Sequence, residues 1–123
     1  MTRHKNQEPR QRQLRVGEEI RHVLAETIAR GELRDPALAD RVITVTEVRM
    51  SPDLGHATVY VLPLGGEGAD EVVAGLDRAK PFLRGIVGRA VRLRLTPELI
   101  FRADRGYEHA ERIDKLLKDA DGA

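Results

Sequence analysis

Six basic residues, with no acidic residue among them, lie within residues 78–94: Arg78, Lys80, Arg84, Arg89, Arg92 and Arg94. Guanidinium and ammonium groups bind phosphates and carboxylates, so a cluster of them predicts an anionic partner. The same stretch has apolar residues at helical spacing, namely Phe82, Leu83, Ile86, Val87 and Ala90. The pattern predicts an amphipathic helix with one face in the core and one face carrying cations.

Phe82 is taken as the centre of the buried face of this helix. Arg84, Gly85, Gly88 and Arg89 are then expected on the solvent side. Two glycines there would allow a phosphate backbone to approach the helix closely. The stretch alone is equally compatible with an ordinary solvated helix face.

Charge is distributed unevenly, although the formal net charge is only +1. Residues 1–15 have five basic residues and one acidic residue, whereas residues 67–77 have four acidic residues and no basic one. Such segregation favours an anionic partner, with Arg12 and Arg15 as supporting contacts.

The chain has only two tyrosines, two phenylalanines and no tryptophan, so base stacking cannot dominate RNA binding. Binding of phosphate and of RNA shape is favoured instead.

The chain lacks the residues, or the residue spacing, that several classes of catalytic and metal site require. The chain has no cysteine, and its four histidines have no metal-ligand spacing. A small hydrolase or nuclease could use Asp53 or Asp104, but neither has a second carboxylate at motif spacing. Gly85-Ile86-Val87-Gly88 matches the GxxG motif of KH domains, but it falls inside the predicted helix instead of in a loop. We therefore expect no enzymatic activity, no cofactor and no metal.

The predicted location is the cytoplasm, and no membrane partner is expected. No apolar run is long enough to span a bilayer, and the N-terminal residues lack the apolar core of a signal peptide.

The predicted elements form one α+β domain. They are a helix from about Leu14 that ends near Gly31, strands at Arg41–Met50 and His56–Leu62, a broken helix pair at about Ala69–Val91, a strand at Leu95–Ala103 and a last helix at residues 107–118. Pro81 fits a helix start, so the break is predicted at Ala79-Lys80-Pro81. Residues 1–12 are interpreted as a flexible basic arm, residues 13–118 as the domain and residues 119–123 as a short tail.

This order and several local phrases resemble bacterial ribosome-binding factor A. The matching phrases are Gln13-Leu14-Arg15-Val16, Arg34-Asp35-Pro36, Val45-Thr46-Glu47-Val48, Ser51-Pro52-Asp53-Leu54, Ala57-Thr58-Val59-Tyr60-Val61, Leu83-Arg84, Gly88-Arg89, the run Leu93–Phe101, and Arg112-Ile113. The resemblance spans about residues 13–117, and the run Leu93–Phe101 is its most specific part.

The resemblance implies a type II KH-like fold with the order α-β-β-α-kink-α-β and a short C-terminal helix. A three-stranded sheet would be covered by helices on one face. It also implies a non-catalytic factor that binds the 30S small ribosomal subunit through 16S rRNA and promotes late maturation and 16S rRNA processing. In that family the kink usually reads Ala-x-Gly, whereas here it reads Ala79-Lys80-Pro81.

The residues expected to contact RNA are Arg12, Arg15, Arg78, Lys80, Arg84, Arg89, Arg92 and Arg94. The protein is expected to act as a monomer. The alternative is a KH-like RNA-binding or protein-interaction module with another anionic partner, and a small hydrolase or nuclease is the rival from a different class.

Overall fold

The computed structural model describes the backbone of residues 2–106 and the side chains of residues 10–106. In this range the elements are α1 (Thr2–Ala29), β1 (Ile43–Met50), β2 (His56–Pro63), α2 (Ala69–Arg78), α3 (Lys80–Ala90) and β3 (Glu98–Ala103). Their types and order confirm the predicted α+β fold. The helix predicted at residues 107–118 and the tail at 119–123 lie outside the described residues.

The three strands form one sheet in the order β1-β2-β3. β2 pairs antiparallel with β1 and parallel with β3. β3 is therefore an edge strand, a position that tolerates Pro97 at its entrance. The β1–β2 register shifts at Thr46, and the Thr46 hydroxyl donates to the carboxylate of Asp104 after β3. This hydrogen bond ties the two outer strands together across β2.

The core lies between the helices and one face of the sheet. Along β2, Ala57, Val59, Val61 and Pro63 are buried, and the residues between them are half-buried or exposed. The helices supply apolar residues to the same core: Val16, Ile20 and Leu24 from α1, Val72 and Leu76 from α2, and Leu83 and Val87 from α3. Phe101 also faces the core, as its alternation along β3 predicts.

Several boundaries differ from the predicted ones. α1 begins at Thr2 instead of near Leu14, so residues 2–12 are helical where an irregular arm was expected. The run Arg10-Gln11-Arg12-Gln13 has good helix propensity and extends the helix upstream of Leu14 without an apolar stripe. β1 begins at Ile43 instead of Arg41, and β3 begins at Glu98 instead of Leu95.

The break between α2 and α3 lies at Ala79, at the position that the sequence indicated. Ala79 has φ −87° and ψ 2°, and its N–H donates to the carbonyl oxygens of Gly75 and Leu76. Pro81 lies in the first turn of α3, where its missing N–H removes no helical hydrogen bond.

Candidate nucleic-acid interface

The buried face of α3 is centred on Leu83 and Val87, both fully buried, and not on Phe82. Phe82 is 45% exposed, so the prediction that it packs inward is wrong. The placement of Arg89 opposite Phe82 is also wrong, because seven residues make almost two full helical turns and return to the same face. Gly85, three residues from Phe82, lies towards that face as well. The spacing of Leu83 and Val87 was the signal that could have identified the true core stripe.

Arg78 forms a two-pronged ion pair with Asp35 in the loop between α1 and β1. Its Nε lies 2.7 Å from Asp35 Oδ2, and its Nη2 lies 2.9 Å from Oδ1. The Arg78 guanidinium, helped by the N–H of Ala37, lowers the pKa of Asp35 to about 2. Although Arg78 remains exposed, its first partner is within the protein, which makes it a weaker candidate for RNA contact.

Arg84 is also held within the fold. Its Nη2 donates to the Thr96 carbonyl oxygen at 3.1 Å, and its Nε donates to the Pro97 carbonyl oxygen at 3.3 Å. Nε lies 3.8 Å from a carboxylate oxygen of Glu98. Arg84 thus fastens α3 to the entrance of β3, and the expectation that it projects freely into solvent is wrong.

Lys80 lies 3.7 Å from the carboxylate of Asp77, one turn earlier along the broken helix pair. The two side chains are partly exposed, so this contact is loose and water-screened. Lys80 therefore stays available to a phosphate that could displace Asp77.

The remaining predicted cations are exposed and make no hydrogen bond or ion pair with another residue in the described part of the chain: Arg12, Arg15, Arg89, Arg92 and Arg94. Three of them converge. Arg12, Arg15 and Arg92 line a groove of about 450 Å³ between α1 and the C-terminal end of α3. We call this the α1–α3 groove.

The groove has a cationic wall and little competing acid. Glu19 is its one acidic lining residue among those the structure describes, and Val16, Ala90 and Leu93 supply its floor. Arg89 precedes Ala90 on α3, and Arg94 follows Leu93 in the next loop, so both flank it along the chain. Two segments far apart in sequence therefore form one cationic surface.

The acids considered for hydrolysis have other partners. Asp53 accepts hydrogen bonds from the Ser51 hydroxyl at 2.7 Å and the Gly55 N–H at 2.9 Å, which lower its pKa and hold the β1–β2 turn. Asp104 lies after the end of β3, at the opposite end of the sheet from that turn. The two carboxylates cannot form a catalytic pair, and residues 10–106 contain no cluster of ligands that could hold a metal ion.

Comparisons with known proteins identify the family of this chain. The sequence model of ribosome-binding factor A matches residues 12–117. The chain belongs to the ribosome-binding factor A family. A family member from Paramagnetospirillum magneticum is 58% identical over 109 residues, which cover 89% of this chain and 77% of that protein.

A crystal structure and a fitted homology model of family members share the fold. The crystal structure of ribosome-binding factor A from Thermus thermophilus is 32% identical, covers 74% of this chain and 94% of its own, and has a TM-score of 0.62. Coordinates of a homology model of the Thermus thermophilus factor, fitted into a cryo-EM map of its complex with the 30S subunit, are 34% identical. They cover 72% of this chain and 91% of their own, with a TM-score of 0.58.

The domain is therefore KH-like, as the resemblance implied, and the protein is a ribosome-binding factor. Gly85-Ile86-Val87-Gly88 lies inside α3, so it does not form the glycine loop of an RNA-binding KH domain. Among the described residues, no helix is both long and apolar enough to span a bilayer.

Proposed function

We propose that this protein binds the 30S subunit through 16S rRNA late in assembly and promotes maturation and processing of that RNA without catalysing a reaction. Family membership supports the ribosomal partner, as does the complex between the Thermus thermophilus relative and the 30S subunit. The proposed place of action is the cytoplasm, where the subunits assemble.

The observation that carries the RNA part of the proposal is the α1–α3 groove. Arg12 and Arg15 reach it from α1 and Arg92 from the segment after α3, and all three are free of carboxylate partners within residues 10–106. Unpaired arginines can give two-pronged contacts to phosphate oxygens without first breaking an internal ion pair. The groove thus supports contact with an RNA backbone more directly than Arg78 or Arg84 does.

In the proposed mechanism, the protein acts by occupying its binding site on the immature subunit. Phosphate contacts fix the position of the protein but read no sequence, so selectivity would come from the folded shape of the rRNA. A factor that binds one rRNA conformation more tightly shifts the population towards it, by no more than the difference in affinity. Maturation would then follow from holding that conformation until release.

The test replaces Arg15 and Arg92 together with glutamate and measures binding to purified 30S subunits across a salt series. Both side chains are exposed, so stability should change by no more than about 0.5 kcal/mol per site. Affinity should fall, and its dependence on salt should become shallower, because fewer counterions are released from the RNA.

The matched control is the double variant Arg34→Glu and Arg102→Glu, which makes the same charge change at two exposed arginines outside the groove. It should bind 30S subunits more tightly than the groove variant does. The dependence of its affinity on salt should also be closer to that of the wild-type protein. Equal losses of affinity in both variants would mean that net charge, and not the groove, determines binding.

A separate experiment tests the absence of catalysis. Incubation of precursor 16S rRNA with the wild-type protein, with and without Mg²⁺, should give no cleavage.

A further inference from the structure

Phe82 is the one aromatic residue among the exposed large apolar side chains of residues 10–106. Its ring lies at the start of α3 and leaves apolar surface in contact with water, which a partner could cover. Phe82 is not one of the buried residues of the core cluster.

The surface beside Phe82 combines a glycine with a cation that lies over it. Gly85 is one turn along α3 and has no side chain, while Arg89 is two turns along on the same face. A Cβ built on Gly85 would lie 3.5 Å from Arg89 Nη1 and 3.9 Å from Nη2, so the guanidinium folds back over the glycine. Arg89 is exposed and has no acidic partner in the described part of the chain.

We propose that Phe82, Gly85 and Arg89 form a contact for one unpaired nucleobase of the bound RNA, with the base stacked on the Phe82 ring. This inference rests on the proposed function and adds to it a second kind of contact beside phosphate binding. The group that covers Gly85 is the flexible end of Arg89, which can move to contact the adjacent phosphate or to stack on the base.

Charge favours RNA over an apolar protein segment as the occupant. Arg89 flanks the ring on its own face, and the α1–α3 groove continues the cationic surface at the other end of α3. An apolar segment would bury Arg89 without satisfying its five N–H donors, whereas a nucleotide offers both a π-face and a phosphate.

The first experiment separates aromatic stacking from general hydrophobic contact. Phe82→Leu keeps an apolar side chain of similar reach but removes the ring, and Phe82→Tyr keeps the ring. Stacking predicts that Phe82→Leu binds 30S subunits about 5- to 150-fold more weakly, while Phe82→Tyr stays near wild type. Leu64→Ala, at an exposed apolar residue after β2, should leave affinity unchanged.

Affinities measured across a salt series distinguish the contribution of Phe82 from that of Arg89. Phe82→Leu should lower affinity at every salt concentration without changing the salt slope, because stacking releases no counterions. Arg89→Gln should make the slope shallower. Circular dichroism and a urea melt of each variant check that the fold is intact.

A second measurement uses fluorescence. The chain has no tryptophan, so Phe82→Trp introduces a single reporter at the proposed contact, and Leu64→Trp introduces one elsewhere. Titration with a short single-stranded RNA of mixed sequence should quench the first reporter and leave the second unchanged.

Wild-type affinity of Phe82→Leu for the subunit, or an unquenched reporter at position 82 under conditions where the RNA binds, would overturn this inference alone. A wild-type protein that bound neither subunits nor the RNA would overturn the proposed function as well. Wild-type affinity of Phe82→Leu combined with groove variants that fail to bind would leave a phosphate-only interface.

Discussion

Arg84 and Arg92 belong to the same basic stretch, but their surroundings differ. Arg84 donates to the carbonyl oxygens of Thr96 and Pro97, whereas Arg92 opens into the α1–α3 groove. A guanidinium that satisfies backbone acceptors stabilises the fold, and one without an internal partner is available to a ligand. Side-chain type therefore does not distinguish a structural arginine from a binding one.

Replacement of Arg84 with glutamine should lower the free energy of unfolding by about 1 kcal/mol, because the two carbonyl oxygens before β3 lose a charged donor. The side chain is 40% exposed, so water partly compensates and a larger loss is not expected. Urea denaturation followed by circular dichroism measures the change.

Arg92→Gln is the matched control for that stability measurement. It removes the same charge from an exposed side chain and should stay within about 0.5 kcal/mol of wild type. An unfolding free energy that falls equally in the two variants would contradict the division between structural and binding arginines.

At the scale of elements, the domain depends on a close approach of α1 to β1. A Cβ on Gly17 would lie only 2.5 Å from the backbone oxygen of Val48, so no larger residue fits there without a shift. The Gln13 amide also donates to the Met50 oxygen at 3.0 Å, which fixes α1 along the same strand. Since α1 supplies Arg12 and Arg15, this packing also sets one wall of the groove.

Gly17→Ala should destabilise the protein by about 1–3 kcal/mol, because the atom it clashes with belongs to the backbone and cannot rotate away. Thermal unfolding checks this. The matched variant Gly85→Ala places a Cβ in another helix, where it meets only the flexible end of Arg89. Gly85→Ala should instead stabilise the protein by up to about 1 kcal/mol, because alanine has a better helix propensity than glycine.

At the scale of the whole molecule, the Asp35–Arg78 ion pair joins the loop after α1 to the end of α2. The pair therefore links the half of the domain that holds α1 to the broken helix pair that follows β2. Asp35 has a folded-state pKa of about 2 against an ordinary value of 3.8. Its stabilising contribution is fully present above about pH 4 and is lost as the pH falls through 2.

Asp35→Asn should therefore lower the urea midpoint at neutral pH, and its difference from wild type should narrow between about pH 4 and pH 2. Arg78→Gln should give the same pattern, since it removes the other partner. Glu32→Gln changes an exposed carboxylate of the same loop and should have little effect at any pH. A constant difference between Asp35→Asn and wild type over this range would exclude the ionised pair as the cause.

The sequence by itself determined the elements, their order and the basic character of residues 78–94. Helical and alternating spacing, β-branched residues and proline act locally, so they can be interpreted without the fold. The break at Ala79 and the inward position of Phe101 were predictable for the same reason. The family resemblance supplied the ribosomal partner that spacing could not.

Only the tertiary structure decided which cations lack a partner within the fold and can contact a ligand, and which face of α3 is buried. Arg78 pairs with a residue 43 positions away, and Arg84 donates to a carbonyl 12 positions away, so their partners cannot be inferred from local sequence. The groove likewise requires α1 and the end of α3 to meet. Phe82 belongs to an apolar pattern, but burial depends on what packs against a side chain, and in the fold Leu83 and Val87 fill the core while Phe82 faces solvent.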